Sequence, residues 1–209
     1  MHQLKKGIFI SFEGGEGAGK TTLIEEIVKR LTQEGRQVLK TREPGGTPLG
    51  EEVRNLLLHQ HGHVAPHAEL ALFLASRAQH ISEKILPALK AGQVVLCDRF
   101  NDSTVAYQGM ARGLGMDTIR DVCQFFCGGL EPHLTLYLDI DPELGLSRVK
   151  KSRCSADRIE AEDIVFHTKI REGYLAIHKK YPLRFHLLNA SMTPDAVFRE
   201  AIQLIHSLL

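Results

Sequence analysis

Residues 12–22 read FEGGEGAGKTT. Gly14, Gly19, Lys20 and Thr21 fit the pattern G-x-x-x-x-G-K-[ST]. Holding a triphosphate calls for these types. Glycines let successive backbone N–H groups turn inward as an anion nest. A helix that opens at the loop adds the positive end of its dipole. Lys20 supplies a mobile point charge for the β- and γ-phosphates, and the Thr21 hydroxyl is a ligand for Mg2+. The cradle runs over Gly14, Gly15, Glu16, Gly17, Ala18, Gly19, Lys20, Thr21 and Thr22. Glu16 is out of character in it. Two unit charges about 4 Å apart interact by roughly 4 kcal/mol near a protein surface. The Glu16 side chain must therefore leave the cradle or neutralise a cation.

Such a loop serves GTPases, ATP-driven mechanical domains, small-molecule kinases and nucleotide sensors. The guanine-reading N-K-x-D and the D-x-x-G switch of GTPases do not occur. Three stretches point instead to a second, anionic substrate. In TREPGGTPLGEEVRNLL (41–57), Arg42 and Arg54 flank a Pro-Gly-Gly loop; either alone reads better as a solvated side chain. In ALFLASRAQH (71–80), Arg77 follows Phe73 by four residues. A shared helix face would let the ring stack on a planar base while the guanidinium bonds its edge. The same spacing suits a core phenylalanine and a surface arginine equally well. In VVLCDRFNDSTVAYQG (94–109), Asp98 ends an apolar strand where a carboxylate would hold Mg2+. Arg99 stands next, placed to clamp a transferring phosphoryl group. Thr104, Tyr107 and Gln108 follow on a helical turn: hydroxyl, ring and amide, a set suited to a base and a sugar. A fourth stretch, 147–163, carries Arg148, Lys150, Lys151, Arg153 and Arg158. It is either a solvated charge run or a basic lid whose closure would keep water from the phosphoryl group.

The elements that position these residues alternate. Strand-length apolar runs fall at 7–13, 36–42, 93–99, 133–140 and 183–190. Helical periods fill 21–35, 50–59, 66–91, 115–127, 142–151, 160–181 and the stretch from Pro194 to the end. Pro87 should kink or restart the third of these. The fold class is α/β: a parallel sheet with helices on both faces. The 209 residues are expected to form one domain, with a lid at about 150–160. A net charge of +1 argues against a nucleic-acid partner. No window is long and apolar enough for a membrane span, and the N-terminal apolar run is too short for a signal peptide. A cytoplasmic location is expected.

In order and content, these motifs resemble the thymidylate kinase family, from about residue 7 to 205. The phosphate loop is generic. REPGG at 42–46, DRFNDSTVAYQG at 98–109 and DRIE at 157–160 are more specific. The resemblance implies a P-loop kinase with a five-stranded parallel sheet, working as a homodimer. It implies transfer of the γ-phosphate of ATP to thymidine 5′-monophosphate, with Mg2+. Arg42, Arg54 and Arg99 would hold the acceptor phosphate. Phe73 would stack on thymine, while Arg77, Thr104 and Gln108 would bond its edge. Tyr107 would sit under the deoxyribose and reject a 2′-hydroxyl. Thr21 and Asp98 would hold the metal. Glu16 would face the acceptor's 3′-hydroxyl.

Some family members carry an arginine inside the phosphate loop; others have glycine there and a basic lid. Gly17 and the Lys- and Arg-rich lid resemble the second, mostly bacterial, kind. The implied catalytic set is Lys20, Arg99, Glu16 and Arg153, with Lys151 and Lys150 beside Arg153 in the lid. Arg158 would help bind the nucleotide or order the lid. Phe100 departs from the tyrosine commoner after DR. The alternatives are a kinase for another small acceptor and a non-catalytic nucleotide sensor. Outside these motifs, Cys97, Cys123, Cys127 and Cys154 show no metal spacing and read as buried thiols. His59, His61, His63 and His67 could bind a metal but read as a surface loop.

Overall fold

The computed structural model of the chain describes residues 7–59, 62, 64–152 and 157–209. Five strands, β1 (Ile8–Glu13), β2 (Val38–Arg42), β3 (Val94–Asp98), β4 (Leu134–Asp139) and β5 (Phe185–Asn189), form one parallel sheet in the order β2-β3-β1-β4-β5. The three inner strands read as continuous apolar runs because both their faces are covered. From central β1 the chain builds first to one side and then to the other. That makes the carboxyl end of β1 a topological switch point, where open parallel sheets bind ligands. Register sharpens this. Asp98 pairs with both Phe12 and Arg42. Glu13, Arg99 and Glu43 therefore follow the row at one level.

On one face, α1 (Lys20–Gln33) and α9 (Pro194–His206) lay Ile24, Ile27, Leu31, Ile202 and Ile205 over Ile10, Leu96 and Leu136. On the other, α8 (Ile164–Lys180) packs Ile170 and Tyr174 against Tyr137 and Phe185, with the two tyrosine rings stacked at 4.7 Å. Burying a side chain of this size contributes about 1.5–3 kcal/mol.

Between β2 and β3 lie α2 (Pro48–His59) and α3 (Pro66–His80). The long helical period at 66–91 is not one α-helix. A π-helical segment, Ile81–Ile85, separates α3 from α4 (Leu86–Lys90), and Pro87 is the second residue of α4. Proline lacks an N–H and crowds the carbonyl four residues back; widening the preceding turn relieves both. After β3, α5 (Asn101–Thr104) runs into a second π-helical segment, Val105–Ala111, where Tyr107 O accepts from Arg112 N, five residues on. Then come α6 (Met116–Phe126) and, after β4, α7 (Pro142–Ser152). The helix expected from 160 begins at Ile164. Asp157 Oδ1 accepts from Ile159 N and Glu160 N, an Asx turn that competes with helix, and Asp163 then caps α8 through Phe166 N at 2.7 Å. No helix among the described residues is long and apolar enough to cross a membrane.

Candidate active site

The phosphate cradle leaves β1 and opens α1 with Gly14, Gly17 and Gly19 all at positive φ, a conformation only glycine adopts without strain. Lys20 folds back over the loop, donating to Gly14 O at 3.0 Å and Gly15 O at 3.1 Å. Its ammonium thereby lies over the nest and not in solvent. Burial, with the charge of Arg99 beside it, lowers the Lys20 pKa. Gly17 has a second reason to be glycine: a Cβ there would meet Gly145 O, in the first turn of α7, at 2.1 Å. Conversely, a Cβ on Gly145 would meet Glu16 O at 2.3 Å. Loop and helix touch backbone to backbone.

Glu16 resolves its own oddity. Its Oε1 accepts from Arg99 Nη2 at 2.7 Å and from the Tyr107 hydroxyl at 3.0 Å. Burial works to raise its pKa, but the charges of Arg99 and Lys20 outweigh it and hold the carboxyl below its ordinary value. The side chain leaves the cradle and neutralises a cation.

Arg99 is the hub. It has φ 72, an outlier for a bulky residue. Its N–H bonds Phe12 O, and the next N–H, of Phe100, bonds Glu13 Oε1 at 2.8 Å. The guanidinium also reaches Gly14 O, Ser103 and Tyr174 and lies over the Tyr107 ring. Beneath it Glu13, fully buried, accepts from Ser103 Oγ and Tyr174 OH as well. Burial first, then Asp102 nearby, push the Glu13 pKa up to about 7.

A cleft of about 1020 Å³ joins the cradle to the far side of the sheet's carboxyl edge. Gly17, Ala18, Gly19, Lys20, Thr21 and Thr22 line it; Gly14 and Gly15 do not, but their carbonyls hold the Lys20 ammonium. Arg42, Arg54 and Arg99 line the same cleft, and Arg99 touches both Gly14 O of the cradle and the Tyr107 ring. Burial and the charge of Arg42, with Arg99 adding, hold the Arg54 pKa below its usual value. Arg54 donates to Pro44 O at 3.0 Å, its one hydrogen bond among the described residues, while Arg42 pairs with Glu51 at 2.7 Å. Like charges crowded at a cleft wall form a site for an anion. Asp98 lines the same wall, and its Oδ1 is buried with no partner among the described residues.

Phe73, Arg77, Thr104, Tyr107 and Gln108 line the cleft as well. Phe73 is half-buried, its spacing from Arg77 serving the cleft. Arg77 is 1% exposed and so is not a surface arginine. It donates to Glu43 Oε2 at 2.6 Å, to Thr104 Oγ1 at 2.8 Å and to Phe100 O at 3.1 Å. Burial opposes its charge, but Glu43 outweighs that and raises its pKa. His80 Nδ1 and Thr41 complete the chain of bonds behind Glu43.

The lid residues divide. Arg148 and Glu160 line the cleft. Lys150 and Lys151 are exposed in the last turn of α7 and do not line it. Arg153 and Cys154 lie outside the described residues, as do His61 and His63. Arg158 points away from the cradle: it donates to Leu57 O at 2.8 Å and to Glu69 Oε2 at 2.5 Å. His67 is exposed on α3. Cys97, Cys123 and Cys127 are buried free thiols. Sequence reasoning passed over Glu13, Glu43, Glu69, Ser103 and Tyr174. Glu13 and Glu43 had a signal, a carboxylate at the end of an apolar strand beside a glycine loop. Tyr174 had none, meeting Ser103 across 71 positions.

A parallel sheet with a phosphate cradle at its switch point, sharing one cleft with a cationic wall and an aromatic pocket, defines a P-loop kinase of small molecules. The profile of the thymidylate kinase family matches residues 12–201. A thymidylate kinase of Protochlamydia amoebophila is 47% identical over 208 residues, covering 96% of this chain and 92% of the relative. One of a Geobacillus species is 48% identical, covering 94% and 95%. The crystal structure of thymidylate kinase from Ehrlichia chaffeensis superposes with a TM-score of 0.78 at 33% identity, covering 95% of this chain and 98% of that one. The chain belongs to the thymidylate kinase family, ATP-dependent phosphotransferases acting on thymidine 5′-monophosphate.

Proposed function

We propose that this cleft transfers the γ-phosphate of ATP to thymidine 5′-monophosphate by in-line displacement, with no covalent enzyme intermediate. The observation that carries the reading is that Arg42, Arg54 and Arg99 line one cleft with the cradle and the aromatic residues, Arg99 joining Gly14 O to the Tyr107 ring. Residues 14–22 hold the ATP phosphates, with Lys20 over the β/γ region. The three arginines hold the acceptor phosphate and bring its oxygen toward the cradle. Phe73 stacks on the base, Arg77, Thr104 and Gln108 bond its edge, and Tyr107 supports the sugar. Glu16 orients Arg99 and faces the sugar hydroxyl.

Thr21 and Asp98 Oδ1, without a partner among the described residues, suit Mg2+, a hard cation that takes oxygen ligands. When bound, Mg2+ offsets phosphate charge. Lys150, Lys151 and Arg153 carry cationic charge over the phosphates as the lid closes, and Arg158 anchors the lid on Glu69. We place the whole chain in one catalytic domain, the lid at about 150–160. Buried free thiols suit the reducing cytoplasm. A nucleotide sensor would need neither the cationic wall nor the base pocket.

A coupled ADP-release assay with each nucleoside monophosphate tests the assignment. Turnover should be fastest with thymidine 5′-monophosphate. Equal turnover of all acceptors, or a preference for guanosine or cytidine monophosphate, would overturn it.

A further inference from the structure

Glu69, on α3, lies behind the base pocket and is 0% exposed. Four bonds reach it. Gln108 Nε2 donates to Oε1 at 2.9 Å, and Arg112 Nε to the same oxygen at 3.1 Å. Arg112 Nη2 and Arg158 Nη2 donate to Oε2 at 3.2 and 2.5 Å. Burial works against the Glu69 charge, but the bonds from Arg112, Gln108 and Arg158 outweigh it and lower its pKa. An ionised carboxylate only accepts. The NH2 of Gln108 must therefore face Glu69, and the amide cannot turn over. Its carbonyl oxygen is left without a partner among the described residues, while the side chain lines the cleft.

We propose that Glu69 is a positioning residue for base selectivity: it holds the Gln108 amide so that the pocket offers an acceptor beside the Arg77 donor. Acceptor next to donor complements a pyrimidine with a ring N–H and a 4-oxo group. A 4-amino pyrimidine has the reverse pattern and leaves both protein groups unmatched, the kind of error a hydrogen-bonding site rejects strongly. The inference rests on the base-pocket reading above. Arg158 joins the same carboxylate from the lid side, so the amide's orientation is held from two elements.

In Glu69→Gln, the two arginines claim the remaining oxygen and the new NH2 faces Gln108, which can then reverse. The measurement is kcat/KM for thymidine and deoxycytidine 5′-monophosphates. We expect the ratio to fall roughly 10–100-fold. No further fall should follow when Glu69→Gln is added to Gln108→Leu. A ratio that survives Glu69→Gln but collapses in Gln108→Leu overturns the role of Glu69 and leaves the pocket intact. A ratio that also survives Gln108→Leu removes the pocket reading itself. Should Glu69→Gln not fold, the parent protein decides through the side-chain amide NMR signals of Gln108. They should keep their shifts and slow solvent exchange when thymidine 5′-monophosphate binds. Signals that move downfield would put the NH2 on the base and refute the proposal.

Discussion

Among single residues, Glu13 is the one whose chemistry the fold alters most. Its pKa lies near 7 because burial and Asp102 oppose its charge more than Ser103, Arg99 and Phe100 N support it. A carboxyl raised on folding binds its proton more tightly in the native state. Its contribution is fully present below the ordinary carboxyl pKa and is lost as pH rises through about 7. Glu13→Gln keeps the shape and abolishes the titration. The stability of the variant relative to the parent should rise by about 1–3 kcal/mol from pH 5 to 7.5, read by urea denaturation at each pH. A difference constant with pH would show that Glu13 ionises normally. Glu16, Glu69 and Asp139, all lowered, act oppositely and lose their contribution as pH falls. At this scale the sequence exposes residues that repeat a short pattern, such as Gly19 and Lys20. It hides those, like Glu69, whose partners lie 39, 43 and 89 positions away.

Elements were legible where composition and period agree. All five strands and the major helices fall within a few residues of where apolar periodicity and glycine place them. The two π-helical segments were not. Their residues have the composition of any helix, and the extra residue per turn is fixed by Pro87 in one case. In the other, α8 presses so closely that a Cβ on Gly173 would come within 3.0 Å of Ala106 Cα. That second segment carries Tyr107 and Gln108, so an irregular turn sets where two pocket side chains point. The contact between α7 and the phosphate loop gives a prediction of its own. Gly145→Ala must push α7 or the loop apart by most of an ångström. Nucleotide affinity should fall about tenfold, and affinity for thymidine 5′-monophosphate, which meets the loop only through Glu16, should fall less. Calorimetric titration of each substrate would show it, and an unchanged ATP affinity would mean the contact relaxes freely.

For the molecule as a whole, we expect a homodimer. Phe125 is 82% exposed and Phe126 44%, both on α6, and Leu56 on α2 is 50% exposed; both helices pack along α3, the helix that carries Phe73 and Arg77. Exposed large side chains of this kind favour burial against a second copy. Phe125→Glu should shift sedimentation from dimer to monomer; a parent that already sediments as a monomer would refute the expectation. The meeting of Gly17 with Gly145 has a consequence for descent as well as for mechanism. Any side chain at 17 strikes the backbone of α7, so the catalytic cation we propose for the lid could not be moved into the loop by one substitution. The helix would first have to give way. A side chain at 17 is therefore reached only after a change in α7, two steps where the loop alone would call for one.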